Sequence, residues 1–190
     1  MKAIKLEEIN SEIEQISFSF CKKPVFGHGD PNAKIILLGE APGANEEKTG
    51  IPFAGSAGKN LNHFLEVLSI TRDELYITNT VKIRPVKFNE KTERYSNRSP
   101  SQAEIEAFSE VLLKELTLIS PKLIVTLGNT ALKALCGKQA QIGNLHGQFI
   151  NSKNFDVFAL YHPAAIIYKQ SLKDEYMEDL GKLKELLKCL

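Results

Sequence analysis

Cysteine is scarce in this chain. Three stand among 190 residues, Cys21, Cys136 and Cys189, odd in number and far apart. That excludes a disulfide framework and a paired CxxC metal knuckle, and it points to a reducing, cytoplasmic setting. Long apolar runs are also missing, so no stretch is expected to cross a membrane. The first residues, Met1 to Glu8, carry acidic side chains where a secretion signal would be apolar. Repeats and low-complexity tracts are absent. Excess charge is lacking too: the formal net charge is +1, which gives no overall sign of a polyanionic partner. Its distribution is less even. Lys82, Arg84, Lys87, Lys91, Arg94 and Arg98 gather in the middle against Glu90 and Glu93, while acidic residues collect near both termini. The pattern fits one basic face, or a solvated loop with ordinary lysines.

What remains is ordinary for a globular protein, with 43% hydrophobic and 25% charged residues. A chain of this length suits one domain, 1–190, with a full core. The stretch that organises it is Gly39 to Gly58, GEAPGANEEKTGIPFAGSAG, with five glycines. It lies between an apolar run, Lys34 to Leu38, and a helical pattern carried by Leu61, Phe64, Leu65 and Leu68. Glycine permits close backbone approach and positive φ, which a loop wrapping a ligand needs. Long loops in compact domains are functional or disordered, and Ile51-Pro52-Phe53 gives this one something to pack or stack.

The remaining pattern alternates strands and helices. An amphipathic helix is expected over residues 4–16, then a tight loop at 25–31. Strands are expected at 34–38, 74–78, 122–127 and 157–160. Ser101 to Glu104 opens a helix as a capping box, Gly128-Asn129 opens a short one, and a last helix covers about 173–187. The segment from Pro85 to Pro100 reads as an exposed connection. This alternation implies an α/β fold, a three-layer α/β/α sandwich around a central four-stranded parallel sheet. Ligands in such sheets sit beyond the carboxyl ends of the strands. Glu40, Asn79, Gly128-Asn129 and His162 follow the four strands on that edge. Singly, each has a plainer reading: a solvent-facing carboxylate, a turn asparagine, a packed histidine, and for Phe53 a core position.

Taken in order, GEAPGANE (39–46), GIPFAGSAG (50–58), TNTVKIRP (78–85), NRSP (97–100) and HPAA (162–165) resemble family 4 of the uracil-DNA glycosylase superfamily. The resemblance covers roughly residues 24–187. It implies hydrolysis of the N-glycosidic bond of uracil in single- or double-stranded DNA, the nucleotide being flipped into a pocket. Phe53 would stack on the flipped ring, a contact worth ~1–3 kcal/mol. The Asn79 amide would read the O4 and N3–H edge, and cytosine would present it with a mismatched donor. Glu46 would lie beside C5 and exclude the thymine methyl. His162 would donate to the anion developing at O2. Gly39, Glu40 and Ala41 would add backbone donors and hold water, with Glu40 the candidate to orient it. Pro42, Ser99, Pro100, Pro163 and Ala164 would form stiff loops gripping phosphates, with Lys82, Arg84 and Arg98 as charge nearby.

Three departures stand out. Most members of the family bind a [4Fe–4S] cluster through four cysteines, but here the third position is Ile83 and the fourth falls at or near Phe108. Thiolates are the required ligands, so no cofactor and no metal site are expected, with Ile83 and Phe108 packing against Ile9, Ile13 and Ile16 instead. Val86 to Ser96 is an insertion without the histidine that traps DNA covalently in some relatives. Tyr168-Lys169 stands where an arginine is frequent. A monomer acting on DNA, with no membrane association, is the expectation. A glycosylase for another deaminated base such as hypoxanthine, or a non-catalytic nucleic-acid-binding module, are the alternatives.

Overall fold

The computed structural model describes residues 2–152, 154–168 and 170–190. In chain order the elements are α1 (Lys2–Ser19), β1 (His28–Gly29), β2 (Ile35–Gly39), α2 (Ala44–Thr49), α3 (Ser56–Leu68), β3 (Leu75–Asn79), β4 (Val86–Asn89), β5 (Arg94–Asn97), α4 (Gln102–Ile119), β6 (Leu123–Leu127), α5 (Asn129–Cys136), α6 (Ile142–Leu145), β7 (Phe149–Asn151), β8 (Asp156–Leu160), α7 (Ala165–Tyr168) and α8 (Lys173–Leu187).

The four expected strands form a parallel core in the order β3-β2-β6-β8. Two short antiparallel strands extend it to six: β1 beside β3, and β7 beside β8. The expected four-stranded sheet is thus the centre of a mixed one. β1 and β7 have two and three residues, too few to show a period. Alternation along each core strand splits the interior. Leu37, Ile77 and Val125 face α3 and α8, while Ile36, Leu38, Tyr76 and Ile124 face α4 and α5. Those are the three layers.

A third apolar cluster ties α1 to α4. Ile9, Ile13, Val81, Ile83, Phe108 and Val111 are buried there, with Ile16 and Phe20 against them. Ile83 and Phe108 are fully buried, and the Phe20 and Phe108 rings lie 6.2 Å apart, near parallel. The segment expected to be an open connection folds as a two-stranded hairpin, β4 against β5, separate from the main sheet.

Candidate active site

The chain leaves β2 toward β3 on one side, and β6 toward β8 on the other. The crevice beyond the carboxyl ends of β2 and β6 is therefore the topological switch point, where open α/β sheets bind ligands. A cleft of about 370 Å³ opens there, bordered by Ala41, Glu46, Phe53, Asn79, Asn97 and His162. A larger groove of about 760 Å³ between α4 and α5 holds neither Asn79 nor His162.

β3 delivers Asn79 as its last residue, in register with Gly39 of β2. Its side chain lies across Gly39 so closely that a Cβ there would sit 2.4 Å from Asn79 Oδ1 and 2.7 Å from the Phe53 ring. Any larger residue there would push the Asn79 amide or the Phe53 ring out of place. Asn79 is 4% exposed, and among the described residues its side-chain amide has no hydrogen-bond partner. At the edge of the cleft, that amide has a donor and an acceptor open to a ligand. That separates it from an asparagine satisfying its own turn.

Phe53 has φ of +55°, a conformation that a bulky side chain adopts only when its surroundings enforce it. Arg72 supplies the restraint, donating from one guanidinium nitrogen to the Phe53 carbonyl at 3.0 Å and the Gly58 carbonyl at 3.3 Å. Burial lowers the Arg72 pKa below its ordinary value. Gly58 lacks the Cβ that would collide with the Phe53 carbonyl at 1.8 Å. The outcome is a phenyl ring 5.9 Å from the His162 ring at 24° between planes. Glu46 closes the same loop: its two carboxylate oxygens accept from the Gly43 N–H at 3.1 Å and the Gly55 N–H at 2.8 Å. α2, unseen as a helix in the sequence, places it.

His162 follows β8. Its Nδ1 accepts from the Ala164 N–H at 3.1 Å, so in the neutral ring the proton is on Nε2. Burial pushes its pKa below the ordinary histidine value, and the charges of Glu40 and Glu46 oppose that only in part. Asn60 steadies the following turn by donating to the Pro163 carbonyl at 3.2 Å. Glu40 Oε2 accepts from Thr130 Oγ1 at 2.6 Å, a bond that spans the switch point and leaves the other carboxylate oxygen free of it. Thr130 escaped the sequence reading, which stopped at Gly128-Asn129. Asn129 instead accepts from the Ile142 N–H.

Asn97 is the second residue missed, although its motif was noted. It borders the cleft, and Arg84 holds it with an Nε–Oδ1 bond of 2.8 Å while pairing with Glu47 at 3.0 Å. Arg98 lies against Glu104 at 2.6 Å and donates to the Val86 and Ser99 carbonyls. That contact, with the α4 cap at Ser101, holds the Glu104 carboxyl down to about 2. Both arginines shape the loops beside the cleft.

Lys82 corrects an expectation. Expected as charge near a phosphate, it is instead fully buried and paired with an equally buried Glu115. Thr78 also bonds to both, and Tyr76 donates to Glu115 at 2.9 Å. A buried ammonium needs such a partner, and in that position it cannot reach DNA. It braces the end of β3 from beneath. Pro42 and Pro163 are likewise buried and stiffen their loops from inside, whereas Ser99 is exposed and Pro100 and Ala164 are half-buried. Lys169 lies outside the described residues, as does the side chain of Tyr168.

The residues present do not fit an iron–sulfur cluster. Ile83 and Phe108 offer hydrocarbon, Cys21 and Cys189 are exposed and Cys136 is half-buried, all three free. Among the described residues no three His, Cys, Asp or Glu side chains gather as a metal site.

Fold and cleft together define an α/β protein with a small pocket, lined by polar and aromatic side chains, at the switch point of its sheet. The model of the uracil DNA glycosylase superfamily matches residues 26–181. A type-4 uracil-DNA glycosylase of Sulfurisphaera tokodaii is 39% identical over 95% of this chain and 84% of its own length. Those of Saccharolobus solfataricus and Archaeoglobus fulgidus are 37% and 35% identical, over 90% and 84% of this chain and 79% and 80% of theirs. The chain belongs to the uracil DNA glycosylase superfamily.

Proposed function

We propose that this protein is a DNA-repair hydrolase that removes uracil from DNA by breaking its N-glycosidic bond, leaving an abasic site. The observation that carries the reading is the unpartnered Asn79 amide facing a pocket walled by Phe53 and His162. Uracil is flat and presents O4 and N3–H side by side. Asn79 supplies one donor and one acceptor to that edge, and Phe53 supplies the stacking face. Glu46, locked between Gly43 and Gly55, narrows the space beside C5 against a methyl group. The relatives' shared name, type-4 uracil-DNA glycosylase, supports the same substrate.

In the reaction a water oxygen bonds to C1′ as the C1′–N1 bond breaks, and the bonding pair moves onto uracil, spread over N1 and O2. Neutral His162 donates from Nε2–H toward O2, and one such donor is worth a factor of about 10²–10³ in rate. Glu40, steadied by Thr130, orients the water and accepts its proton. Gly39 and Ala41 contribute backbone to the same wall. Phosphates flanking the flipped nucleotide lie along the loops of Pro42, Ser99-Pro100 and Pro163-Ala164, with Arg84 and Arg98 behind them. The chemistry needs no metal, and we assign none. The protein works as one domain and a monomer, on single- or double-stranded DNA, in a reducing compartment. Among the described residues no helix is long and apolar enough to cross a membrane.

The test is excision from oligonucleotides carrying uracil, hypoxanthine, cytosine or thymine at one position, read by alkaline cleavage. Uracil should be released and the others left. Release of hypoxanthine in place of uracil would overturn the base assignment.

A further inference from the structure

The β4–β5 hairpin has no part in the chemistry above, yet it carries two large exposed aromatic side chains. Phe88 is 52% and Tyr95 64% exposed. They form a cross-strand pair, ring centroids 5.1 Å apart and tilted by 54°. Such a pair steadies an isolated hairpin, but packing on each other still leaves their outer faces in solvent.

The register decides which way they face. Val86 pairs with Asn97, Lys87 with Ser96, Phe88 with Tyr95 and Asn89 with Arg94. Side chains alternate along a strand, so Phe88 and Tyr95 share a face with Val86 and Asn97, and Lys87 and Arg94 lie on the other. Asn97 borders the pocket. The aromatic pair is therefore the continuation of the pocket rim, two residues out, about 7 Å along the strand. Arg84 and Arg98 fasten the base of the hairpin through Asn97 and the Val86 carbonyl. The hairpin also carries three cations, Lys87, Lys91 and Arg94, against Glu90 and Glu93.

We propose that this hairpin is a single-strand-binding arm, on which Phe88 and Tyr95 stack an unpaired base next to the flipped nucleotide. Aromatic faces accept any base without reading it. In a duplex the neighbouring bases are already stacked on each other, so the platform has nothing to receive. The arm thus makes the protein favour uracil in single-stranded or frayed DNA. It rests on the reading of the pocket as a DNA site, and the test below separates the two.

The probes are two single-stranded oligonucleotides with 2-aminopurine beside either thymine or an uncleavable 2′-fluoro uracil nucleotide, and the duplex forms of both. Full-length wild-type protein should quench the 2-aminopurine in the single strands. Phe88→Leu/Tyr95→Leu, which keeps apolar cross-strand packing, should abolish the quenching and weaken single-strand affinity about 5- to 150-fold. Duplex affinity should change less than threefold. Phe88→Tyr/Tyr95→Phe should restore both signals. Unchanged single-strand affinity in the leucine variant, or an equal loss on single strand and duplex, overturns the arm. If the leucine variant loses affinity for the thymine strand while wild type excises no uracil, the arm stands and the glycosylase reading falls.

Discussion

The backbone N–H of Ala164 donates to Nδ1 of His162 across 3.1 Å, and that one bond decides which nitrogen of the neutral ring carries the proton. Protonated imidazole would set an N–H against this N–H. Burial already holds the ring below its ordinary pKa. Excision should therefore fall on the acid side, with its midpoint below the ordinary histidine value of about 6.5. Stability follows the same group. In the window between the lowered folded value and about 6.5 the unfolded chain binds more protons, so stability rises with pH there. His162→Gln should flatten that rise in urea melts recorded from about pH 5 to 7. An equally steep rise in the variant would contradict the assignment.

His162→Ala should slow single-turnover excision about 10²- to 10³-fold while weakening DNA binding little, because its donor matters most once charge builds on uracil. Rapid-quench rates at saturating enzyme, set beside fluorescence anisotropy, separate the two.

Asn79→Ala removes the reading edge. Its kcat/KM for uracil should drop by about 10- to 100-fold, with two hydrogen bonds lost, and its preference for uracil over cytosine should shrink. A variant that keeps full discrimination would show that the base is read elsewhere.

Thr130 donates to Glu40 at 2.6 Å, which under the proposed mechanism makes it a positioning residue. Thr130→Val should lower kcat about tenfold or more with KM little changed, since hydrogen bonds to charged groups are among the stronger ones. Thr130→Ser, which keeps the hydroxyl, should recover most of the rate. Equal damage from both variants would mean that the methyl group's packing matters and the bond to Glu40 does not.

Phe108 is fully buried in the apolar cluster that ties α1 to α4. Phe108→Ala should destabilise the protein by about 3–5 kcal/mol in denaturant titrations, by loosening α1 from α4. Protein prepared without oxygen should be colourless, with neither stoichiometric iron nor labile sulfide. Stoichiometric iron would refute the apolar replacement.

Much of this was legible in the residues because the signals were long or chemically specific. Short apolar runs marked the parallel strands, and the expected packing of Ile83 and Phe108 against the N-terminal helix is the apolar cluster found there. The edge strands β1 and β7 escaped, being too short for any period. The hairpin escaped because Phe88 and Tyr95 pair only with each other, so no buried face left its alternation in the sequence. Lys82 misled for a different reason. Sequence shows a cation among cations, whereas its burial depends on Glu115, 33 positions away, which only the fold brings beneath β3. Thr130 was hidden by distance too, 90 positions from the carboxylate it steadies.

The most direct test of the account is single-turnover excision of uracil from a single-stranded oligonucleotide in EDTA, comparing wild type with His162→Ala and Asn79→Ala. The account requires rapid release of free uracil by wild type, unaffected by chelation, and slow release by both variants. No release by wild type, or release that stops on chelation and returns with a divalent ion, would contradict it.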